Sequence, residues 1–337
     1  MESGWRAAHN KSVIEAARDM GIELVYENAM QSQEKQIDII RRMIARKVDV
    51  IVFPPKTATG WDDVLREAKA AGIPVILSDR KVDVSDDTLW TAYIGSDFRE
   101  EGRRAGRWLA GEAEPGRSYR FVELQGTADS APATGRKIGF EEGIAGDGRF
   151  EIVKSAVGDF TKSGGKELMQ QALAELGGRI DVVYCHNDDM ALGAAEAIEA
   201  YGLKPGKDIL LISVDATKSA LQALNVGKLN FVVECNPLLG PPIMKRSRTW
   251  PRTNNCRWRS SRRKARSRRR KRRRAFRCGI TNGNLHLLSL YIPCFMHMEV
   301  LTMKIIETER LILRHQTIED AAFILELLTF LDPVHRR

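Results

Sequence analysis

Four apolar runs in this sequence each close on hydrogen-bonding side chains. "IPVILSDR" ends on Asp79 and Arg80, "VVYCHND" on Asn187 and Asp188, "LLISVD" on Asp215, and "FVVECN" on Glu234 and Asn236. In an open parallel α/β sheet, ligands sit beyond the carboxyl ends of the strands, so these groups fall where a crevice forms. Carboxylates and amides exchange paired hydrogen bonds with vicinal hydroxyls. A guanidinium donates from a fixed fork, and an aromatic ring lies against the apolar face of a saturated ring. Such a set suits a neutral polyol. The bland reading of any one of them is a turn residue or helix cap, and Asp188 reads as the N-cap of a helix starting near Met190. Other chemistry is not supported. Cys185 and His186 are strand neighbours on opposite faces and cannot act as nucleophile and base. "KSGGKE" lacks the spacing and the Ser/Thr of a phosphate loop, and neither the six His nor the five Cys show metal-ligand spacing. No catalytic residue, metal or cofactor is expected.

The elements that would position these groups alternate with a period near two dozen residues from residue 3 to about 236. "GWRAAHNKSVIEAARDMG" is helical, "IELVYEN" a strand, "SQEKQIDIIRRMIARK" an amphipathic helix and "VDVIVFPP" a buried strand. The alternation continues through "LWTAYIGS", "REEGRRAGRWLAGE", "YRFVELQG" and on to "LNFVVECN". This is the grammar of βαβ units in parallel sheets covered on both faces. Two doubly wound α/β lobes are expected, with chain crossings near Ser96 and Glu234.

Charge separates the remainder. From Lys245 to Arg277 there are 15 Arg and 3 Lys with no acid, although the whole chain carries only +9. Elsewhere 35 basic residues face 44 acidic ones, so the basic character belongs to one segment. From Met244 to about Gly283 there is no periodicity, and disorder is expected. No run approaches the roughly 18 consecutive apolar residues of a membrane span. "MESGWRAAHN" has neither the charged start nor the apolar core of a signal peptide, so no export signal is expected in the chain as written.

The stretches "ESGWRAA", "TATGWDDVLREAKAAGIPVILSDR", "VELQGTADSAPATGRKIGFEEGI", "GDFTKSGGKELM", "HNDDMALGAAEAI", "GLKPGKDILLISVD" and "NFVVECNPLLGP" occur in this order between residues 2 and about 242. In them the chain resembles the periplasmic sugar-binding proteins of the ribose type, the galactofuranose binders among them, which feed ABC transporters. The resemblance implies a type I periplasmic-binding-protein fold, two Rossmann-like lobes closing on one monosaccharide. It also implies ABC-transporter membrane subunits as partners, no specific nucleic acid, and a periplasmic location. Carried over residue by residue, the family's contacts fall on Glu2, Ser3, Gly4, Trp5 and Arg6, on Asp79 and Arg80, and on Arg136 in "TGRKIGF". Phe160 in "GDFTK" matches an aromatic wall, Asn187 and Asp215 complete the cleft, and Glu234 is a hinge-proximal candidate.

The family pattern starts with a strand before "ESGW" and runs past "NPLLGP", so a fold truncated at both ends is expected, with a destabilised first lobe. The expected divisions are a first lobe over 1–95, a second over 96–234, and a hinge remnant with the Arg/Ser-rich run over 235–302. That run has the composition of a shifted reading frame. Residues 303–337, beginning "MKIIETERLILRHQTIEDAAFILELL", resemble the start of GNAT-type N-acetyltransferases, and no transferase activity follows from so short a fragment. Two other readings stand beside the transport one. One is a sugar-responsive regulator of the lactose-repressor family without its DNA-binding domain. The other is salt-sensitive nucleic-acid binding through the basic run.

Overall fold

The computed structural model describes residues 3–248. Glu2, the basic run beyond Arg248 and the acetyltransferase-like segment lie outside the described residues.

Two parallel sheets organise the described chain. The first holds β1 (Ile51–Phe53), β2 (Val75–Ser78) and β3 (Ala92–Ile94) in that order. It is covered by α1 (Gly4–Asp19), α2 (Gln33–Ala45) and α3 (Asp62–Ala70). The second sheet is built from β4 (Tyr119–Gln125), β5 (Phe150–Val157), β6 (Val182–Cys185), β7 (Leu210–Asp215) and β8 (Phe231–Glu234), in the order β5-β4-β6-β7-β8. Helices α4 (Phe98–Glu112), α5 (Ala131–Gly143), α6 (Lys162–Leu176), α7 (Asp188–Ala200) and α8 (Lys218–Asn225) alternate with these strands. β2 and β6 are buried along their whole length, as expected of strands covered on both faces. Most helices start on a side-chain cap supplied by the residue just before them. Ser3, Ser32, Asp97, Ser130, Thr161, Asn187 and Thr217 each accept from a backbone N–H in the first turn.

Three features differ from the sequence reading. "IELVYEN" forms no strand, because β1 pairs only with β2 and residues 22–28 find no ladder among the described residues. Its Ile22 and Val25 still pack against the first lobe's apolar clusters, while Leu24 and Tyr26 are exposed. The loss of pattern placed at Met244 comes too early. A ninth helix, α9 (Gly240–Arg248), buries Ile243 and Met244 against Ala16 and Ala17 of α1, and the Gly240 N–H donates to Ser12 Oγ at 3.0 Å. Two prolines in its first turn cost little there, since those N–H groups have no helical partner in any case. Finally, the cap of α7 is Asn187 and not Asp188. The Asn187 Oδ1 accepts from Met190 N at 3.1 Å, whereas buried Asp188 accepts from Ser213 Oγ and Thr217 N, both at 2.6 Å.

The α4–α5 contact is unusually close. A Cβ on Gly102 would collide with the Arg136 carbonyl and the Phe140 N of α5, and one on Gly139 with the Arg99 carbonyl of α4. Backbone lies against backbone, which brings Glu101 and Arg136 side by side. Substituting Gly102→Ala is therefore expected to destabilise the protein by about 1–3 kcal/mol through overpacking. Gly111→Ala in the same helix, where an added Cβ meets nothing within 4 Å, is expected to be neutral or to stabilise by up to about 1 kcal/mol. Thermal unfolding of the two variants checks this.

Candidate functional site: a cleft between the two sheets

A cavity of about 230 Å³ lies where the carboxyl ends of the two sheets face each other. From the first sheet come Ser3, Trp5 and Arg6 at the start of α1, Lys56 after β1, Asp79 and Arg80 after β2, and Phe98 after β3. From the second come Thr127 after β4, Asp159, Phe160 and Thr161 after β5, Asn187 after β6, Asp215 at the end of β7 and Cys235 after β8. Pro132 and Arg136 of α5 and Gln31 ahead of α2 complete the wall.

The residues named from sequence therefore divide. Ser3, Trp5, Arg6, Asp79, Arg80, Arg136, Phe160, Asn187 and Asp215 meet at one cavity. Gly4 does not line it, and its N–H instead donates to Asp189 Oδ2 at 3.2 Å. Nor does Glu234, which sits under the influence of Arg104 on α4. Adjacent strand residues face opposite ways, so Cys235 is the one that reaches the cavity. Gln31, Lys56, Phe98, Thr127, Pro132, Asp159, Thr161 and Cys235 were missed. The signal for most of them was present, because the strand-end rule applied to β1, β3, β4 and β5 leads to Lys56, Phe98, Thr127 and the Asp159–Thr161 turn.

Three guanidinium groups dominate the electrostatics, and each has carboxylate or carbonyl partners. Arg6 Nη2 donates to Asp79 Oδ2 at 2.5 Å, and Arg80 Nε lies 3.6 Å from the same oxygen. Burial alone would lift the Asp79 carboxyl, but Arg6 and Arg80 hold it below the usual carboxylate range. Burial and the neighbouring Arg6 lower Arg80 to about 10. Arg80 Nη1 donates to the Lys56 carbonyl at 3.0 Å, its guanidinium lies 5.3 Å from the centre of the Phe160 ring, and its buried Nε has no hydrogen-bond partner among the described residues. That N–H is held by the Asp79 charge alone, 3.6 Å away.

Arg136 is more tightly held. Its Nε donates to Glu101 Oε2 at 2.9 Å, Nη2 to Asp215 Oδ1 at 3.3 Å and Nη1 to the His186 carbonyl, while Phe98 covers its face at 5.5 Å. Burial raises the carboxyls of Glu101 and Asp215, and Arg136 opposes that rise in both. Asn187 is fixed through Nδ2 to the Phe160 carbonyl at 3.1 Å. Asp79 (φ 66°), Asp159 (54°), Phe160 (59°) and Asp215 (128°) all take positive φ, a cluster of strained backbone of the kind found at binding sites.

Trp5 forms one flat wall. Its ring stacks on His9 at 5.3 Å and 11°, and its Nε1 donates to the Cys235 carbonyl at 2.6 Å, which ties the first helix to the second chain crossing. The arrangement presents oriented donors, acceptors and rings. Cys185 is a core residue whose thiol burial pushes up, and His186 is turned to Glu123 at 3.2 Å, so the two form no catalytic pair.

This is the architecture of a two-lobed solute-binding protein with its ligand cleft between the lobes. Residues 1–238 match the family model described as a periplasmic binding protein domain, and the chain belongs to that family. Over 243 residues it is 44% identical to the galactofuranose-binding protein YtfQ of Escherichia coli, covering 72% of this chain and 76% of that one. It is 30% identical over 232 residues to the ribose import binding protein RbsB of Bacillus subtilis, covering 68% and 71%. A Mycobacterium smegmatis structure in complex with β-D-fucofuranose matches with 52% identity and a TM-score of 0.72, over 73% of this chain and 81% of that one. The binding protein of the arabinose ABC transporter from Shewanella sp. ANA-3, bound to L-arabinofuranose, matches with 42% identity and a TM-score of 0.72, over 76% and 85%.

The wall behind Trp5 is sensitive to acid. His9 Nε2 lies 2.8 Å from Ser78 Oγ and Nδ1 lies 3.5 Å from Arg6 Nη1, so the neutral ring accepts from the guanidinium and donates to the serine. Burial, and then Arg6, lower its pKa to about 4. Between pH 6.5 and 4 the unfolded chain therefore binds a proton that the folded one does not, and stability is lost as pH falls through that window. The loss amounts to about 3 kcal/mol. Urea unfolding at pH 7, 5.5 and 4 is expected to show the wild type losing stability relative to His9→Gln across this window, while the carboxyls of Asp188 and Asp215, raised by burial, contribute the opposite slope to both proteins.

Proposed function

We propose that the chain is the solute-binding component of an ABC sugar importer and that its cleft holds one monosaccharide in furanose form. The observation that carries this is the cavity wall itself. Arg6, Arg80 and Arg136 are paired with carboxylates, and Trp5, Phe98 and Phe160 stand beside them. In this reading Asp79 and Asp215 accept from sugar hydroxyls through the oxygen each keeps free of its arginine, and Arg6, Arg80 and Arg136 donate. Asn187 does both, and the Trp5 and Phe160 rings lie against the sugar. Glu2 is a further candidate from the family resemblance. A cavity of about 230 Å³ falls below the roughly 300–1,000 Å³ of drug-sized sites and favours a single sugar ring.

The furanose assignment draws on three of these relatives, whose names or bound ligands are galactofuranose, fucofuranose and arabinofuranose. The same relatives favour an importer over a transcription regulator. Work at the outer side of the cytoplasmic membrane, handing sugar to membrane subunits from the closed state, accords with this assignment. Ligand contacts from both lobes exist only in the closed arrangement, so bound sugar favours closure.

Titration with L-arabinose, D-galactose, D-fucose and D-ribose, followed by Trp fluorescence and calorimetry, is expected to give saturable binding to at least one of them. Arg136→Ala is expected to weaken that affinity by at least about 100-fold, since it removes a charge-assisted donor and leaves Glu101 and Asp215 buried without their partner. Absence of a saturable response to every sugar defeats the assignment.

A further inference from the structure

The loop after β1 belongs to the first sheet, yet its tip is held by the second. Asp129, in the turn following β4, accepts from Ala58 N–H through its carbonyl at 2.5 Å. Its Oδ2 accepts from Thr59 N–H at 3.3 Å and from Thr59 Oγ1 at 2.7 Å. Asp129 has φ 56°, a conformation that Asp and Asn tolerate better than most residues.

On its own side the loop is stiffened. Gln33 donates to the Thr59 carbonyl at 2.8 Å and accepts from Thr57 Oγ1 at 2.5 Å, and Gln36 accepts from Lys56 N–H at 3.0 Å. Trp61 Nε1 donates to the Thr57 carbonyl at 2.9 Å. The other end of the loop enters the cavity, where Lys56 lines the wall and its carbonyl receives Arg80 Nη1. Arg80 in turn lies over Phe160 of the second lobe. A line of contacts thus runs from Asp129 through Thr59 and Lys56 to Arg80 and Phe160, crossing the cleft at both ends. Neither Asp129 nor Thr59 lines the cavity. The other lip is tied by Gly4 N–H to Asp189 Oδ2.

We propose that Asp129 is a positioning residue that clasps the two lobes and fixes Arg80, so that it sets how long a sugar stays bound without touching it. The proposal rests on the sugar-binding reading of the cleft. An open arrangement lacks the Asp129 contacts, so they favour closure whatever the ligand. Sugar enters through the open arrangement, in which the clasp is not made, and leaves only once the clasp breaks, so its loss acts mainly on the dissociation rate.

The test is stopped-flow Trp fluorescence on the full chain with L-arabinose, or whichever of the four sugars binds. Asp129→Gly keeps the positive φ and removes both side-chain bonds, and is expected to speed dissociation about tenfold with association unchanged. Asp129→Asn keeps an amide oxygen as acceptor and is expected to stay within about twofold of wild type. Thr59→Val loses only the hydroxyl bond and is expected to give about threefold faster dissociation. It carries the test should Asp129→Gly fail to fold. Wild-type dissociation in both Asp129→Gly and Thr59→Val overturns the clasp, and so does an Asp129→Asn as fast as the glycine variant. If the wild type binds no sugar, the functional reading fails by itself. The clasp is then read from small-angle scattering of the sugar-free proteins, where Asp129→Gly is expected to be the more open and an unchanged radius of gyration overturns it.

Discussion

Three arginines whose side chains are at most 14% exposed meet at one small cavity, and no arrangement of the cleft is stable unless each of them is paired. A buried charge without a partner costs several kcal/mol, and removing one member of a buried pair costs about 3–5 kcal/mol. Asp79 answers Arg6 and Arg80, while Glu101 and Asp215 flank Arg136. Much of the local backbone reflects this need. Asp79 and Asp215 turn through positive φ at the ends of β2 and β7, and the glycine contact between α4 and α5 brings Glu101 against Arg136. Phe98 and Phe160 cover guanidinium faces that would otherwise meet only solvent or one another.

The strand-end residues could be read from the sequence because their positions depend on two local facts, the length of an apolar run and the polar residue that stops it. Asp79, Arg80, Asn187 and Asp215 satisfy both. Glu234 satisfies them equally and points elsewhere, since a single residue of register decides which face a strand residue occupies. Glu101 was out of reach for a different reason. It lies in the interior of α4, within a helix rich in charged residues, and nothing in "REEGRRAGRW" distinguishes Glu101, buried against Arg136, from the half-buried Glu100 beside it. That distinction arises only when Gly102 lets α5 approach.

The segment "IELVYEN" shows the limit of periodicity in the other direction. Its composition suits a strand, but a strand is a pairing and not a property of one segment. Among the described residues β1 makes its ladder with β2 alone, and residues 22–28 join no ladder, with Leu24 and Tyr26 exposed. At α9 the error is opposite. "GPPIMKRSR" looks like the start of an aperiodic basic run, yet two apolar residues suffice to dock one short helix when α1 offers Ala16 and Ala17 as a flat surface.

Pairing within the protein also explains why a cleft so rich in charge can serve a neutral solute. Arg136 reaches the cavity with its direction already fixed by three protein acceptors, and Asn187 with its Nδ2 and Oδ1 both engaged. In the proposed reading of the cleft a sugar hydroxyl meets groups that need no reorganisation, and the ordering of those side chains is part of folding and not of binding. The same pairing carries a penalty for a poor fit. A ligand that covers the carboxylates and the amide lining the cavity without matching them leaves buried polar atoms unsatisfied. Discrimination between sugars that differ by one hydroxyl then comes from unmatched polar atoms, a stronger source of selectivity than any apolar wall of the same size.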